Sequence, residues 1–168
     1  TDFPSFMGEN HYIKEARRTS SLPILRKDFL YDPYQVLESR AIGADCILII
    51  MAAVSDQQAK DLEDTAIYWG LDVLIEVHNK EELERALRLK SKFIGINNRD
   101  LKTFNTELKT TIELAAKVPE GYLIASESGI NSKMDLAEMA KINVKSFLIG
   151  ESLMRKTNIK EAIEGLLN

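Results

Sequence analysis

Six short apolar runs punctuate the chain, and between them apolar and charged positions recur at helical spacing. The runs are LPILRKDF (Leu22–Phe29), DCILIIM (Asp45–Met51), DVLIEVH (Asp72–His78), KFIGINN (Lys92–Asn98), YLIASES (Tyr122–Ser128) and SFLIGES (Ser146–Ser152). Their apolar residues run on continuously instead of alternating with polar ones, as in parallel strands that helices cover on both faces. The intervening stretches predict helices. One spans about Gly8 to Ser20. DPYQVLESRAIG opens with an Asp cap and a Pro in its first turn and stops at Gly43; SDQQAKDLEDTAIYWG is capped by Ser55 and ends at Gly70. NKEELERALRLK carries acids first and bases last, in keeping with the helix dipole. TELKTTIELAAKV, SKMDLAEMAKIN and NIKEAIEGLL complete the series, while TDFPSF at the start reads as loop. Strand starts recur about every 20–30 residues, the length of a strand plus a crossover helix. The pattern predicts a parallel α/β protein of six strands, one domain over residues 1–168 with no linker or low-complexity tract.

Composition narrows the function classes. A net charge of −4 argues against a nucleic-acid partner, which would want a clustered basic face; the one basic spot, Arg17-Arg18, reads as a solvated helix face. Cys46 is the single cysteine, so no disulfide framework or multi-Cys metal site is expected, and a reducing, cytoplasmic setting fits. The longest apolar run, Cys46 to Val54, is too short to span a bilayer, and no signal-peptide pattern occurs. His11 and His78 look isolated and Trp69 is expected to pack against a strand, so no metal site is predicted. The chain opens on Thr1 without a first strand, and reads as the later part of something longer.

Periodicity alone leaves open whether the sheet is open or closed. The glycine-rich phosphate loop that an open doubly wound sheet usually carries after its first strand is not in the sequence. Polar residues do stand at the C-terminal ends of five runs: Lys27 and Asp28, Glu76 and His78, Asn97 to Arg99, Glu127 and Ser128, and Gly150 to Ser152. In a barrel those ends converge on one mouth. Asp28 could help start the next helix, but Lys27 comes too early for a cap. A lysine among apolar neighbours can donate a proton near neutral pH, and a glutamate on a nearby strand can accept one; a structural salt bridge at the rim is the alternative. In GINNRD, strand alternation puts Gly95, Asn97 and Arg99 on one face, where Asn97 would orient an oxygen and Arg99 would offer a planar fork to a carboxylate; a capped polar loop is the alternative. The turns ESGI and GES follow the last two runs, where barrels often hold phosphate on backbone N–H groups.

In order and at these separations, PILRKDF, DPYQV, GAD, LIEVH, IGINNRDL, SESGI and FLIGESLMR resemble the indole-3-glycerol phosphate synthase family over essentially the whole chain. The resemblance implies a (β/α)8 TIM barrel, incomplete here: strands three to eight, from the loop after the second strand to the eighth helix. It implies a carbon–carbon lyase of tryptophan biosynthesis without metal or organic cofactor. The reaction closes 1-(2-carboxyphenylamino)-1-deoxyribulose 5-phosphate to indole-3-glycerol phosphate with loss of carbon dioxide and water. Lys27 matches the general acid and Glu76 the base, with Asn97, Glu127 and Ser128 at further catalytic positions. Arg99 matches a substrate-holding residue near the carboxylate. Phe6, Phe29, Leu48, Leu101 and Phe104 match the apolar pocket around the anthranilate ring, and Gly129, Gly150 and Glu151 the phosphate site.

One departure matters. The family's first strand carries Glu-x-Lys followed by a Ser-Pro-Ser-type segment, and nothing here matches it; against a barrel of about 250 residues, roughly a third is not represented. Six of eight strands would not close with normal tilt and shear, so the strands at Leu22 and Ser146 are expected to present open edges, with self-association and little or no turnover. Two rivals stand beside this reading. Phosphoribosylanthranilate isomerase would want a Cys–Asp pair, and Cys46 falls mid-strand; a non-catalytic phosphate-binding or assembly module needs no first strand.

Overall fold

A computed structural model describes residues 1–167 and carries the expected alternation of helices and parallel strands. The chain divides into two compact units, one of Thr1–Glu76 with Glu84–Ser91, the other of Val77–Leu83 with the stretch from Lys92 onward.

The first unit holds α1 (Phe3–Phe6), α2 (Asn10–Thr19), β1 (Leu25–Arg26), α3 (Pro33–Ile42), β2 (Cys46–Ile50), α4 (Asp56–Tyr68) and nearly all of β3 (Asp72–Val77). Leu25 lies opposite Cys46, and β2 pairs in parallel with β3 from Cys46 opposite Asp72 to Ile50 opposite Glu76. Ile47, Leu48 and Ile49 of β2 and Val73, Leu74 and Ile75 of β3 are buried, as are Val36 of α3 and Ala59, Leu62 and Ala66 of α4. Burying each large aliphatic side chain contributes about 1.5–3 kcal/mol. The helix ends follow from local chemistry. Asp32 accepts from the Tyr34 amide at 2.8 Å and Pro33 takes the first helical position, while Gly43 closes α3 at φ 103°, a backbone conformation that residues with a β-carbon adopt only under strain. Ser55 and Gln58 form a reciprocal capping box at the start of α4.

The second unit holds β4 (Phe93–Asn97), α6 (Lys109–Ala115), β5 (Leu123–Glu127), α7 (Lys133–Lys141), β6 (Ser146–Leu148), α8 (Glu151–Met154) and α9 (Ile159–Leu167); α5 (Lys80–Ala86) starts in it. β4 pairs in parallel with β5, and β5 with β6. Ile130, Met139 and Val144 centre its core, with Leu108, Ile112, Ile124 and Phe147 packed against them.

Four expectations need correcting. TDFPSF is not loop throughout: Asp2 caps the short helix α1 by accepting from the Ser5 amide at 2.9 Å. The first run contributes two ladder residues, Leu25 and Arg26, and beyond them the Asp28 carboxylate accepts the Phe29 N–H at 2.8 Å. Trp69 is 43% exposed and lies edge-on to Tyr68, at the helix end where the chain turns through Gly70. Arg17 is not simply solvated, since its guanidinium pairs with Asp45 and donates to the Gly43 carbonyl at 3.0 Å. Among the described residues no helix is long and apolar enough to cross a membrane.

Candidate active site

In the first unit the charged triplet after Leu25 separates by strand alternation. Arg26 is turned toward the helices: its guanidinium meets Glu38 at 2.8 Å, Ser39 Oγ at 3.1 Å and the Gln35 carbonyl at 3.2 Å, all on one face of α3, and Asp28 at 3.1 Å. Asp28 does not start a helix; it braces Arg26 and holds the Phe29 amide. Lys27 goes the other way. Its Nζ lies 3.2 Å from Glu76 Oε2, joining β1 to the end of β3. The Glu76 side chain is 3% exposed and that of Lys27 30%, so the carboxylate is dry and the ammonium reachable. Lys27 Nζ also stands 4.6 Å from the Phe6 ring centroid, in cation–π contact with it. Phe6 stacks nearly parallel on Phe29 at 5.4 Å, and Phe29 on Tyr31 at 6.4 Å. Leu48 is fully buried mid-strand on β2. An ammonium, a buried carboxylate and a set of stacked aromatic rings thus share one neighbourhood, an arrangement able to move a proton beside a flat apolar surface.

Cys46 is buried on the same strand as Leu48, and burial pushes its thiol up to about 12. It holds no thiolate at neutral pH, which removes the nucleophile or base a Cys–Asp mechanism would need.

In the second unit β4 and β5 end together, Asn97 opposite Glu127. Asn97 accepts the Arg99 amide at 3.0 Å through Oδ1. The Arg99 guanidinium is paired with Glu151, which Arg155 also contacts at 2.7 Å; hydrogen bonds from Arg99 and then Arg155 hold the Glu151 carboxyl below its usual range. An incoming carboxylate therefore competes with Glu151 for the same guanidinium. Glu127 is buried at the strand end. Ser128 and Gly129 follow in left-handed backbone, at φ 63° and 81°. A β-carbon at position 129 would come within 2.9 Å of Thr106 Cγ2, so both conformation and space call for glycine there. Gly150 caps α8, whose first residue is Glu151. Leu101 and Phe104 are exposed, Phe104 to 72%, and do not line a buried surface as the chain stands here.

Two groups escape a reading of the sequence alone. Arg26 is hidden there because nothing local tells which face of a two-residue strand meets α3. Asn98 stands beside the more noticeable Asn97, yet it is the more deeply buried of the two, and its side chain bonds to Ser126 and Glu127 at the end of β5. His78 is not isolated either: its Nδ1 is 3.0 Å from Glu82 Oε2, and the four-residue spacing was the available signal. Burial alone would raise the Glu82 carboxyl, but hydrogen bonds from the His78 ring and backbone, with Asn79, outweigh it and hold the group below its usual range.

Comparison with known proteins assigns the fold and the family. The chain is similar to 3-hexulose-6-phosphate synthase from Salmonella typhimurium, with a TM-score of 0.79 at 13% identity over 99% of this chain and 84% of that one. It is likewise similar to the tryptophan synthase α2β2 complex of Pyrococcus furiosus, with a TM-score of 0.73 at 18% identity over 94% of this chain and 72% of that one. At such identities the likeness speaks for fold alone, and that fold is an incomplete (β/α)8 barrel. Curated relatives carry the family. Indole-3-glycerol phosphate synthase of Azospirillum brasilense is 56% identical over 99% of this chain and 64% of that protein; the synthase of Zymomonas mobilis subsp. pomaceae is 50% identical over 99% and 63%. The chain therefore spans a little under two thirds of the length of these relatives. The model of the same family matches residues 1–166, so the chain belongs to the indole-3-glycerol phosphate synthase family.

Proposed function

We propose that the chain supplies acid–base and substrate-holding groups for the family's ring closure, from 1-(2-carboxyphenylamino)-1-deoxyribulose 5-phosphate to indole-3-glycerol phosphate, carbon dioxide and water. The observation that carries this reading is the Lys27–Glu76 pair at 3.2 Å with the Lys27 ammonium over the Phe6 ring. Attack of the ring carbon on the ketone forms the new carbon–carbon bond and places negative charge on the carbonyl oxygen, which the Lys27 ammonium protonates. Carbon dioxide then leaves with its bonding electrons returned to the ring. Dehydration then breaks the carbon–hydroxyl bond: Glu76 accepts the anilino proton, and Lys27, reprotonated from solvent, gives the departing hydroxyl the proton with which it leaves as water. Phe6, Phe29, Leu48, Leu101 and Phe104 would hold the aromatic ring, and Asn97 and Arg99 the polar edge of the substrate. Glu127 and Ser128 act at the next strand end, while amides around Gly129, Gly150 and Glu151 take the phosphate. A cytoplasmic location accords with a phosphorylated substrate and a single reduced, buried cysteine.

Indoleglycerol phosphate fluorescence tests the assignment. The 168-residue chain is assayed alone and with the remaining portion of the Azospirillum relative supplied in trans. Turnover in either case, abolished by Glu76→Gln, supports the proposal; none in both, despite phosphate binding, refutes it in favour of a non-catalytic phosphate-binding module. That second reading draws weight from a span of only 64% of the Azospirillum relative. We also propose that the isolated chain self-associates through the outer edges of β1 and β6, and sedimentation showing a monomer at micromolar concentration contradicts this.

A further inference from the structure

We propose that Asn98 is a positioning residue that sets the geometry of the turn after β5, and through it the groups offered by Glu127, Ser128 and Gly129. The inference rests on the phosphate-site reading above for its functional consequence, and on a buried hydrogen-bond network for its geometry. The Asn98 carboxamide is 2% exposed. Its Nδ2 shares two hydrogens among three acceptors, Ser126 Oγ, the Glu127 carbonyl and the Ser128 carbonyl, each at 3.0 Å. Its Oδ1 accepts from the Thr111 amide at 3.0 Å and from Thr111 Oγ1 at 2.8 Å. That assignment is fixed by chemistry. A flipped amide would aim its NH2 at the Thr111 N–H and its oxygen at two carbonyls.

Thr111 Oγ1 and Ser126 Oγ lie 2.9 Å apart, closing a ring of three side chains, all buried. The Asn98 backbone joins in, donating to the Glu127 carbonyl at 2.9 Å and accepting the Glu107 amide at 3.0 Å. A fully bonded polar ring inside an apolar surrounding is rigid, because each bond given up there goes unreplaced by water. Its output falls on two successive carbonyls, those of Glu127 and Ser128, and these are where the chain enters left-handed backbone. Ser128 has a β-carbon and adopts that conformation at a cost; the two amide–carbonyl bonds hold it there. Fixing both carbonyls fixes the peptide planes between residues 127 and 129, hence the direction of the Gly129 N–H and the root of the Glu127 side chain. Asn98 touches no reacting atom in this scheme and acts through the turn.

Inorganic phosphate titrated into the 15N-labelled chain, with the amide resonances of Ser128, Gly129 and Ile130 followed, provides the test. Asn98→Asp keeps the oxygen facing Thr111 but puts oxygen where the NH2 stood. It is expected to displace those resonances and weaken phosphate binding roughly ten- to hundred-fold, the scale of a misplaced binding group. Thr111→Val breaks the opposite side of the ring. It is expected to lower the melting temperature while leaving phosphate affinity within about twofold. A merely structural role predicts the contrary, with both variants losing affinity in step with their loss of stability, and that result overturns the proposal. So does an Asn98→Asp chain whose turn resonances and affinity match the parent. If the parent chain binds no phosphate, the phosphate-site reading fails and the resonances alone judge Asn98: unmoved signals overturn the positioning role, moved ones uphold it. Should Asn98→Asp not fold, Asn98→Ala is compared with its parent in a Ser128→Gly background, which relieves the left-handed strain, and the same resonances and titration decide.

Discussion

Replacing Arg26 with methionine isolates the contribution of the buried charge beside Lys27 that turns to α3. The Arg26 side chain is 4% exposed and its guanidinium serves Asp28, Glu38, Ser39 and the Gln35 carbonyl. Methionine fills much of the same volume but leaves two carboxylates without this partner. Removing one member of a buried ion pair costs about 3–5 kcal/mol. Here Glu38 is 37% exposed and readily rehydrates, whereas Asp28 is 12% exposed and does not. The expected cost therefore lies near the lower bound, at about 3 kcal/mol, a large share of the ~5–15 kcal/mol total of a typical domain. Urea denaturation followed by circular dichroism measures it. With a slope of about 2 kcal/mol per molar, the midpoint drops by roughly 1.5 M. Arg26→Lys keeps a charge but not the planar fork and is expected to lose about half as much. Adding Asp28→Asn to Arg26→Met removes the stranded charge, keeps the Oδ1 acceptor for the Phe29 amide, and restores ~1 kcal/mol or more. A midpoint shift for Arg26→Met worth under about 1 kcal/mol, with no recovery on adding Asp28→Asn, refutes the reasoning.

Other expectations follow from single contacts. In a turnover-competent form, Lys27→Ala and Glu76→Gln each lower kcat/KM by roughly 10²–10⁴, with the far-ultraviolet spectrum retained; a loss under tenfold in fluorescence-monitored ring closure would remove these residues from proton transfer. Gly129→Ala meets both an unfavourable φ of 81° and Thr106 Cγ2 at 2.9 Å, and is expected to cost ~1–3 kcal/mol by thermal unfolding. Thr106→Ser in that background relieves the clash and leaves the conformational part. Glu82 is held below its usual range in the folded chain, so its contribution is present above the unfolded value of about 4.3 and is lost as pH falls through the folded one. Glu82→Gln should accordingly flatten the acid side of the stability–pH curve, and an unchanged slope below about pH 4.3 contradicts the assignment.

Much of the architecture is legible without coordinates because it is locally encoded. Asp32 with Pro33 and Gly43, and Ser55 with Gln58, mark helix ends through bonds made within a few residues, so their spacing alone identifies them. The continuous apolar runs identify the strands for a similar reason, since burial on both faces leaves no alternation to find. Where the expectation failed, a distant partner intervened: Asp45 recruited Arg17 from a helix that reads as solvated.

By itself, then, the sequence determined the order of strands and helices, the capped ends of α3 and α4, and, through its motifs, the family. Tertiary structure alone decided that Lys27 reaches Glu76 across 49 residues, that Arg26 turns to α3 instead, and that the Asn98 side chain bonds to the end of β5. The physical reason is range. Periodicity and capping record hydrogen bonds satisfied within a turn or two, whereas the partner of a strand-end side chain is set by which elements pack beside it, and no local pattern carries that information.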